Sequence, residues 1–316
     1  MTWLTPMTPT NHPNPRRRAL LQAAGAAGLL STMAEVRSAP AGLITRPIPH
    51  TGERLPAIGL GTYQVFDVSA SQLPGSGLQD VLRRFVELGG KVVDSSPMYG
   101  HAEAAVGTLA TALGARNALF LATKVWTSGR NEGIRQMEAS ARLLQSKVID
   151  LMQVHNLLDL KTHLPVLRDW KKSGRIRYLG ITHYHAGAHA ELEQLVRTGD
   201  FDFVQVNYSL DEPEAEARLL PACADSGTAT LINRPFSQAG LFGRVRGKPL
   251  PRWCADLDCS SWAQFFLKWI ISHPAVTCAI PGTGRVQHIE DNMAACTGRL
   301  PDAAMRKRMA AYFSAL

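Results

Sequence analysis

The chain has 316 residues, of which 45% are hydrophobic, and a formal net charge of +8. This length and composition allow a large domain with a full buried core. The positive charge is scattered and forms no basic stripe with interleaved aromatic residues, which argues against nucleic-acid binding.

The first 41 residues have the pattern of an export signal. Arginines at 16–18 precede a modest apolar stretch, ALLQAAGAAGLLSTMA, and an A-x-A-like cleavage site follows at Ala39-Pro40-Ala41. We therefore expect a signal peptide over 1–41, the twin-arginine translocase as a partner during export, and a periplasmic mature protein. Because the stretch is too short for a stable spanning helix, no stable membrane anchor is expected. An ordinary amphipathic or disordered N-terminus is the alternative.

From residue 42 onward the pattern alternates strand and helix. A short hairpin, ITRPIP and then ERLPAI, is followed by eight apolar runs: AIGLGT, KVVD, LFLATK, DLMQVH, YLGIT, FVQVN, ATLIN and VTCAIP. Continuously apolar runs indicate a parallel sheet covered by helices. Eight such units predict an α/β fold, a (β/α)8 TIM barrel over 42–316 with the hairpin before it and one helix after it. A doubly wound open sheet is the alternative, but no G-x-G-x-x-G opens the chain.

Amphipathic segments between these runs predict the helices of the barrel. LQDVLRRFVELG shows apolar residues mostly at i, i+3 and i+4, and EPEAEARLLPACADSG is also expected to be helical. Several segments end in a glycine that suits a helix C-terminus. These glycines are Gly89, Gly114, Gly174, Gly199 and Gly227.

Residues 236–261 are too long for an ordinary strand-to-helix loop. At the carboxyl rim of a barrel they would cover the active site, so we expect a cofactor or substrate clamp that uses Arg244, Arg246 and Lys248. A decorated surface loop is the alternative. The five cysteines match no zinc pattern, and they are expected to be free, with Cys254–Cys259 left open as a disulfide.

Four chemically active side chains fall where consecutive predicted strands end. Asp94 closes the second run, Lys124 the third and His155 the fourth, and Tyr99 lies in the loop after Asp94. In a barrel these ends meet at one rim. Lys124 is expected to lower the pKa of the Tyr99 phenol, with Asp94 holding Lys124 and His155 orienting a substrate carbonyl. The set suits proton donation to an oxygen as hydride reaches carbon.

The chain resembles the aldo-keto reductase superfamily over about residues 44–296. GLGTYQ, VVDSSPMYG, LATKVW, DLMQVHN, IRYLGIT, QVNYS and IPGTGRVQHIEDN stand where that family has its motifs. The resemblance implies an NAD(P)H-dependent enzyme without a metal that reduces a small-molecule aldehyde or ketone. The family's catalytic tetrad maps onto Asp94, Tyr99, Lys124 and His155, with Tyr99 as the general acid.

The resemblance also implies a cofactor site and a substrate pocket. Gln205 would hold the nicotinamide carboxamide, and Arg285 would replace the family's usual partners of the 2′-phosphate. Positions expected to contact the cofactor are Gly61, Thr62, Tyr63, Thr182, His183, Gln205, Asn233, Arg234, Pro235, Phe236, Thr283, Arg285, His288, Asp291 and Asn292. The pocket walls are expected to be Tyr63, Met98, Trp126 and Phe236.

Some of these positions depart from the family's pattern. Thr182-His183 stands for Ser-Asn, and His288 stands for an arginine. Where the family often has a tyrosine that stacks on the nicotinamide, the segment here is Asn233-Arg234-Pro235-Phe236. NADP is therefore the expected cofactor, with NAD possible. Two other functions stay open: a non-catalytic nicotinamide-binding regulatory protein on the same scaffold, and an isomerase on a (β/α)8 barrel.

Overall fold

Eight parallel strands follow one another around a single sheet in chain order. They are β3 (Leu60–Gly61), β4 (Val92–Asp94), β5 (Phe120–Val125), β6 (Ile149–His155), β7 (Ile176–Thr182), β8 (Phe203–Asn207), β9 (Ala229–Asn233) and β10 (Cys278–Ala279). Parallel bridges from Ile58 to Ala279 and from Gly61 to Gly282 join the β3 segment to the β10 segment and so close the barrel. The fold is therefore the predicted (β/α)8 barrel. The structure is a computed structural model, and it describes residues 42–316 together with Met1 and Thr2.

An antiparallel hairpin closes one end of the barrel. It consists of β1 (Thr45–Pro47) and β2 (Arg54–Pro56), as predicted. Ile48, which follows β1, and Leu55 in β2 are buried among the inward-facing side chains of the barrel. The hydroxyls of Thr51 and Tyr178 are hydrogen-bonded at 3.0 Å, and Tyr178 lies near the start of β7. The hairpin therefore covers the amino ends of the strands and leaves the carboxyl ends open.

Helices cover the outer face of the barrel. They are α1 (Leu78–Glu87), α2 (Ala102–Ala112), α3 (Arg130–Leu143), α4 (Leu160–Lys172), α5 (His189–Val196), α6 (Leu219–Asp225), α7 (Gly240–Arg244), α8 (Trp262–Ile271), α9 (Val286–Ala294) and α10 (Ala303–Ser314). The five glycines expected beyond helix ends all have positive φ, between +61° and +84°.

One predicted helix is broken in two. A 3₁₀ turn covers Glu214–Glu216, and α6 begins only at Leu219. Pro221 explains the break, because its ring clashes with the carbonyl four residues earlier and its nitrogen carries no hydrogen. Restarting at Leu219 places this proline in the first turn of the helix, where no donor is needed.

The long segment between β9 and α8 is partly ordered into α7 and a 3₁₀ turn at Arg252–Leu257. Its cations do not face the cleft as the clamp hypothesis expects. Arg244 donates to the backbone oxygen of Phe313, and Lys248 donates to that of Leu316. These cations therefore fasten the chain's last helix to the barrel.

The five cysteines are all free and buried, as expected. Within residues 42–316 no helix is long and apolar enough to cross a bilayer. The same part of the chain contains no group of three or more His, Cys, Asp or Glu side chains that could hold a metal ion.

Candidate active site

A buried ion pair forms the base of the site. Nζ of Lys124 lies 2.7 Å from Oδ2 of Asp94 and 2.7 Å from the backbone oxygen of Ser95. Both charged side chains are at most 3% exposed. Burial acts to lower the pKa of Lys124, but Asp94 and Tyr99 outweigh it, so the pKa is raised and the ammonium stays charged.

Two glutamine amides hold the other carboxylate oxygen of Asp94. Nε2 of Gln205 donates to Oδ1 at 2.8 Å, and Nε2 of Gln153 donates to it at 3.2 Å. Oε1 of Gln205 accepts from Thr182 at 3.2 Å. Both the nitrogen and the oxygen of the Gln205 amide are therefore already hydrogen-bonded within the protein, although the resemblance predicts that this amide holds the nicotinamide carboxamide.

Tyr99 reaches over this base from the β4–α2 loop. Its ring centroid lies 4.8 Å from Nζ of Lys124, 5.0 Å from the Tyr63 ring and 6.0 Å from the His155 ring. Burial raises the pKa of Tyr99 above its ordinary value of 10; Lys124 opposes this and Asp94 adds to it. Lys124 therefore lowers the pKa of Tyr99 as expected, but desolvation of the phenolate outweighs the nearby ammonium, so the pKa is raised in sum.

His155, the last residue of β6, stands beside Tyr99 as a neutral imidazole. Burial lowers its pKa to about 3, and the charge of Lys124 contributes in the same direction. Its Nδ1 lies 3.1 Å from Oγ of Ser96, and its ring faces the cleft. A neutral ring can donate a hydrogen bond to a carbonyl oxygen without competing with Tyr99 for a proton.

A cleft of about 990 Å³ opens above these residues at the carboxyl ends of the strands. All four residues expected to wall the substrate pocket line it, namely Tyr63, Met98, Trp126 and Phe236. Tyr63, Met98 and Trp126 are 48%, 36% and 40% exposed, which makes them the rim of the cleft rather than core. A bound molecule would cover this apolar surface.

Most of the expected cofactor positions line the same cleft. They are Gly61, Thr62, Tyr63, Thr182, Gln205, Asn233, Arg234, Pro235, Phe236, Thr283, His288, Asp291 and Asn292. Two of the expected residues do not. The His183 ring stacks on Tyr184 with a centroid distance of 5.3 Å, and Arg285 is an exposed residue just before α9. His288, one helical turn further on, is the basic residue that faces the cleft.

Asn233 presents an unpaired acceptor to the cleft. Its Nδ2 donates to the backbone oxygen of His183 at 2.9 Å, and its Oδ1 is buried without a partner among residues 42–316. Because that backbone oxygen can only accept, the orientation of the Asn233 amide is fixed. Oδ1 of Asn156, also in the cleft wall, is likewise buried and has no partner in the described part of the chain. Such atoms are costly unless a ligand satisfies them.

Several residues of the site were not found from the sequence. Gln153 had a usable signal, because it is a polar residue in an apolar strand, two positions before His155 and on the same face. Ser96 had no such signal, since serine in a loop after a strand is common. Among the other cleft residues missed are Gln64, Asn156, Tyr184, Phe242 and Trp262.

Comparison with known proteins places the chain in a family. The model described as "Aldo/keto reductase family" matches residues 57–311. The chain belongs to the aldo/keto reductase family. The expectation of a reductase on a (β/α)8 barrel is thereby confirmed.

Individual members of the aldo/keto reductase family align along most of the chain. "Methylglyoxal reductase YeaE" from Escherichia coli (strain K12) is 31% identical over 265 residues, which cover 82% of this chain and 91% of that protein. An aldo/keto reductase from Klebsiella pneumoniae, solved with NADP and acetate, is 26% identical with a TM-score of 0.71 and covers 83% of this chain and 93% of its own. Another from that organism, solved with NADPH, is 25% identical with a TM-score of 0.72, and the coverages are 87% and 96%.

Proposed function

We propose that the chain reduces an aldehyde or ketone to an alcohol with NADPH as the hydride source. The observation that carries the proposal is one cleft that joins Tyr99 and His155 to the cofactor positions before and on α9. The phenol lies over a charged lysine, and a neutral imidazole stands next to it. These are the donors that a carbonyl oxygen needs at the moment it gains negative charge.

Each residue has a separate part in the proposed reaction. When bound in this cleft, NADPH would provide the hydride that the carbonyl carbon accepts. Tyr99 donates the phenol proton to the carbonyl oxygen, and its raised pKa keeps that proton in place at neutral pH. Lys124 stabilises the phenolate that remains until solvent returns a proton. His155 donates a hydrogen bond to the same carbonyl oxygen, and Asp94 holds Lys124 in place.

The cleft fits a nicotinamide nucleotide. Oδ1 of Asn233, which has no partner within residues 42–316, lies beside Gln205 and near the Asp94–Lys124 pair, and it suits the amide of a nicotinamide. At the other end, Thr283, which precedes α9, and Asp291 and Asn292 within α9 line the wall. The Asp291 carboxylate is bonded to Ser261 at 2.8 Å and Gln264 at 2.7 Å, so it braces the wall through α8.

The test is turnover with purified protein. We expect methylglyoxal, the substrate named for the relative YeaE, and an aromatic aldehyde to cause oxidation of NADPH, followed through nicotinamide absorbance. Because the rim of Tyr63, Met98 and Trp126 is apolar, the KM for the aromatic aldehyde should be lower than the KM for methylglyoxal. Absence of oxidation with every carbonyl, in protein that still binds NADPH, would support the non-catalytic binding function instead.

We further propose that the protein is exported through the twin-arginine pathway to the periplasm. Arg17 and Arg18 ahead of the apolar stretch, and the Ala39-Pro40-Ala41 site, support this. Export of a folded protein with its cofactor bound would place the nucleotide where it is otherwise scarce. Replacing both arginines by lysine should retain the protein in the cytoplasm, while equal periplasmic amounts of both forms would reject this route.

A further inference from the structure

The hydroxyl of Ser96 has two hydrogen-bond partners within residues 42–316, and one of them is His155. Ser96 is fully buried in the loop after β4. Its Oγ accepts from the backbone N–H of Met98 at 3.3 Å and lies 3.1 Å from Nδ1 of His155. No other side-chain partner of this oxygen exists in the described part of the chain.

The direction of the Ser96–His155 hydrogen bond follows from the two partners of the Ser96 hydroxyl. A neutral imidazole has one nitrogen that donates and one that accepts. If Nδ1 carried the proton, Oγ of Ser96 would accept twice, from Nδ1 and from Met98, and its own buried proton would have no acceptor. If Nδ1 is unprotonated, the hydroxyl donates to it and every group is satisfied. An unsatisfied buried donor costs about 1–3 kcal/mol, enough to decide between the two.

We propose that Ser96 is a positioning residue whose hydroxyl donates to Nδ1 of His155 and so places the ring proton on Nε2, toward the cleft. Nε2 has no hydrogen-bond partner within residues 42–316, so its proton is free for a substrate carbonyl. The burial that keeps the ring neutral over the physiological range is consistent with this. The catalytic value of this tautomer rests on the proposed function, whereas the tautomer itself does not.

The tautomer is measured directly in cofactor-free protein by ¹⁵N–¹H correlation spectra of labelled histidine. In the wild type we expect one His155 form, with Nε2 protonated and Nδ1 bare. In Ser96→Ala we expect a measurable population with Nδ1 protonated, because the hydroxyl no longer excludes it. Ser95→Ala is the matched control, since the neighbouring hydroxyl accepts from Thr62 at 3.0 Å and does not contact the ring. Protonated Nδ1 in the wild type, or identical spectra in Ser96→Ala, would overturn the proposal.

Kinetics give the second readout. Loss of one orienting hydrogen bond should lower kcat for a model aldehyde by up to about tenfold in Ser96→Ala, while Kd for NADPH stays within about twofold. Ser96→Cys fills the same space with a poor donor, so we expect it to be as slow as Ser96→Ala. A Ser96→Cys variant as fast as the wild type would show that packing matters and the hydrogen bond does not. If the wild type shows the expected tautomer but no turnover, the proposed function fails and the tautomer assignment stands.

Discussion

Removing Lys124 should separate the structural and the chemical parts of the buried ion pair. The change is Lys124→Met, alone and combined with Asp94→Asn. Lys124 and Asp94 lie 2.7 Å apart and are almost fully buried. At an effective dielectric constant of about 20, two unit charges at that distance attract by about 6 kcal/mol. Desolvation offsets part of this, so breaking the pair from one side should cost about 3–5 kcal/mol of unfolding free energy.

The double variant carries the sharper expectation. With both charges removed, no uncompensated ion is left in the core, and stability should recover to within about 2 kcal/mol of the wild type. Activity should not recover, because Tyr99 has lost the ammonium that stabilises its phenolate. Urea unfolding and aldehyde reduction on the same preparations test both points. Single losses that simply add in the double variant would show that the two charges do not stabilise each other, and reductase activity that survives Lys124→Met would show that the ammonium is not needed for proton donation.

Three further outcomes follow from the site. Burial lowers the pKa of His155 to about 3 in the folded protein, whereas the ordinary value of 6.5 applies to the unfolded chain. Below pH 6.5 the unfolded chain therefore binds more protons than the folded one, and the free energy of unfolding falls on acidification. Between pH 7 and 5 the wild type should lose about 2 kcal/mol more than His155→Gln in urea unfolding; equal losses would contradict the neutral ring. Asn233→Ala should raise Kd for NADPH and NADH alike, by about tenfold, and a loss confined to one nucleotide would reject its carboxamide role. Arg285→Ala and His288→Ala are compared to assign the 2′-phosphate partner. The variant that removes this partner should weaken the binding of NADPH much more than that of NADH. If each variant affects the two nucleotides equally, neither residue is the partner.

The sequence was sufficient for the barrel and for the four reactive side chains at its rim. Polar residues that end apolar runs must lie at the carboxyl ends of parallel strands, which is why Asp94, Lys124 and His155 could be placed together. The break before α6 was also encoded in Pro221, although the helical pattern concealed it.

Other features depended on three-dimensional choices that no spacing reveals. Arg244 and Lys248 have long side chains that reach either toward the cleft or toward α10, and only packing decides between these directions. The net pKa of Tyr99 depends on the balance between burial and a nearby charge, which sequence proximity does not give. The hydrogen bond from Ser96 to His155 depends on the orientation of the ring and on which other groups bond to the Ser96 hydroxyl.

Tyr99→Phe tests directly whether the Tyr99 hydroxyl is the proton donor. The phenol is the proposed proton donor, and its ring lies against Tyr63 and over Lys124. Removing only the hydroxyl should leave the Kd for NADPH within about twofold and reduce carbonyl-dependent NADPH oxidation by on the order of a hundredfold or more. A Tyr99→Phe enzyme that turns over within a few-fold of the wild type would contradict the account.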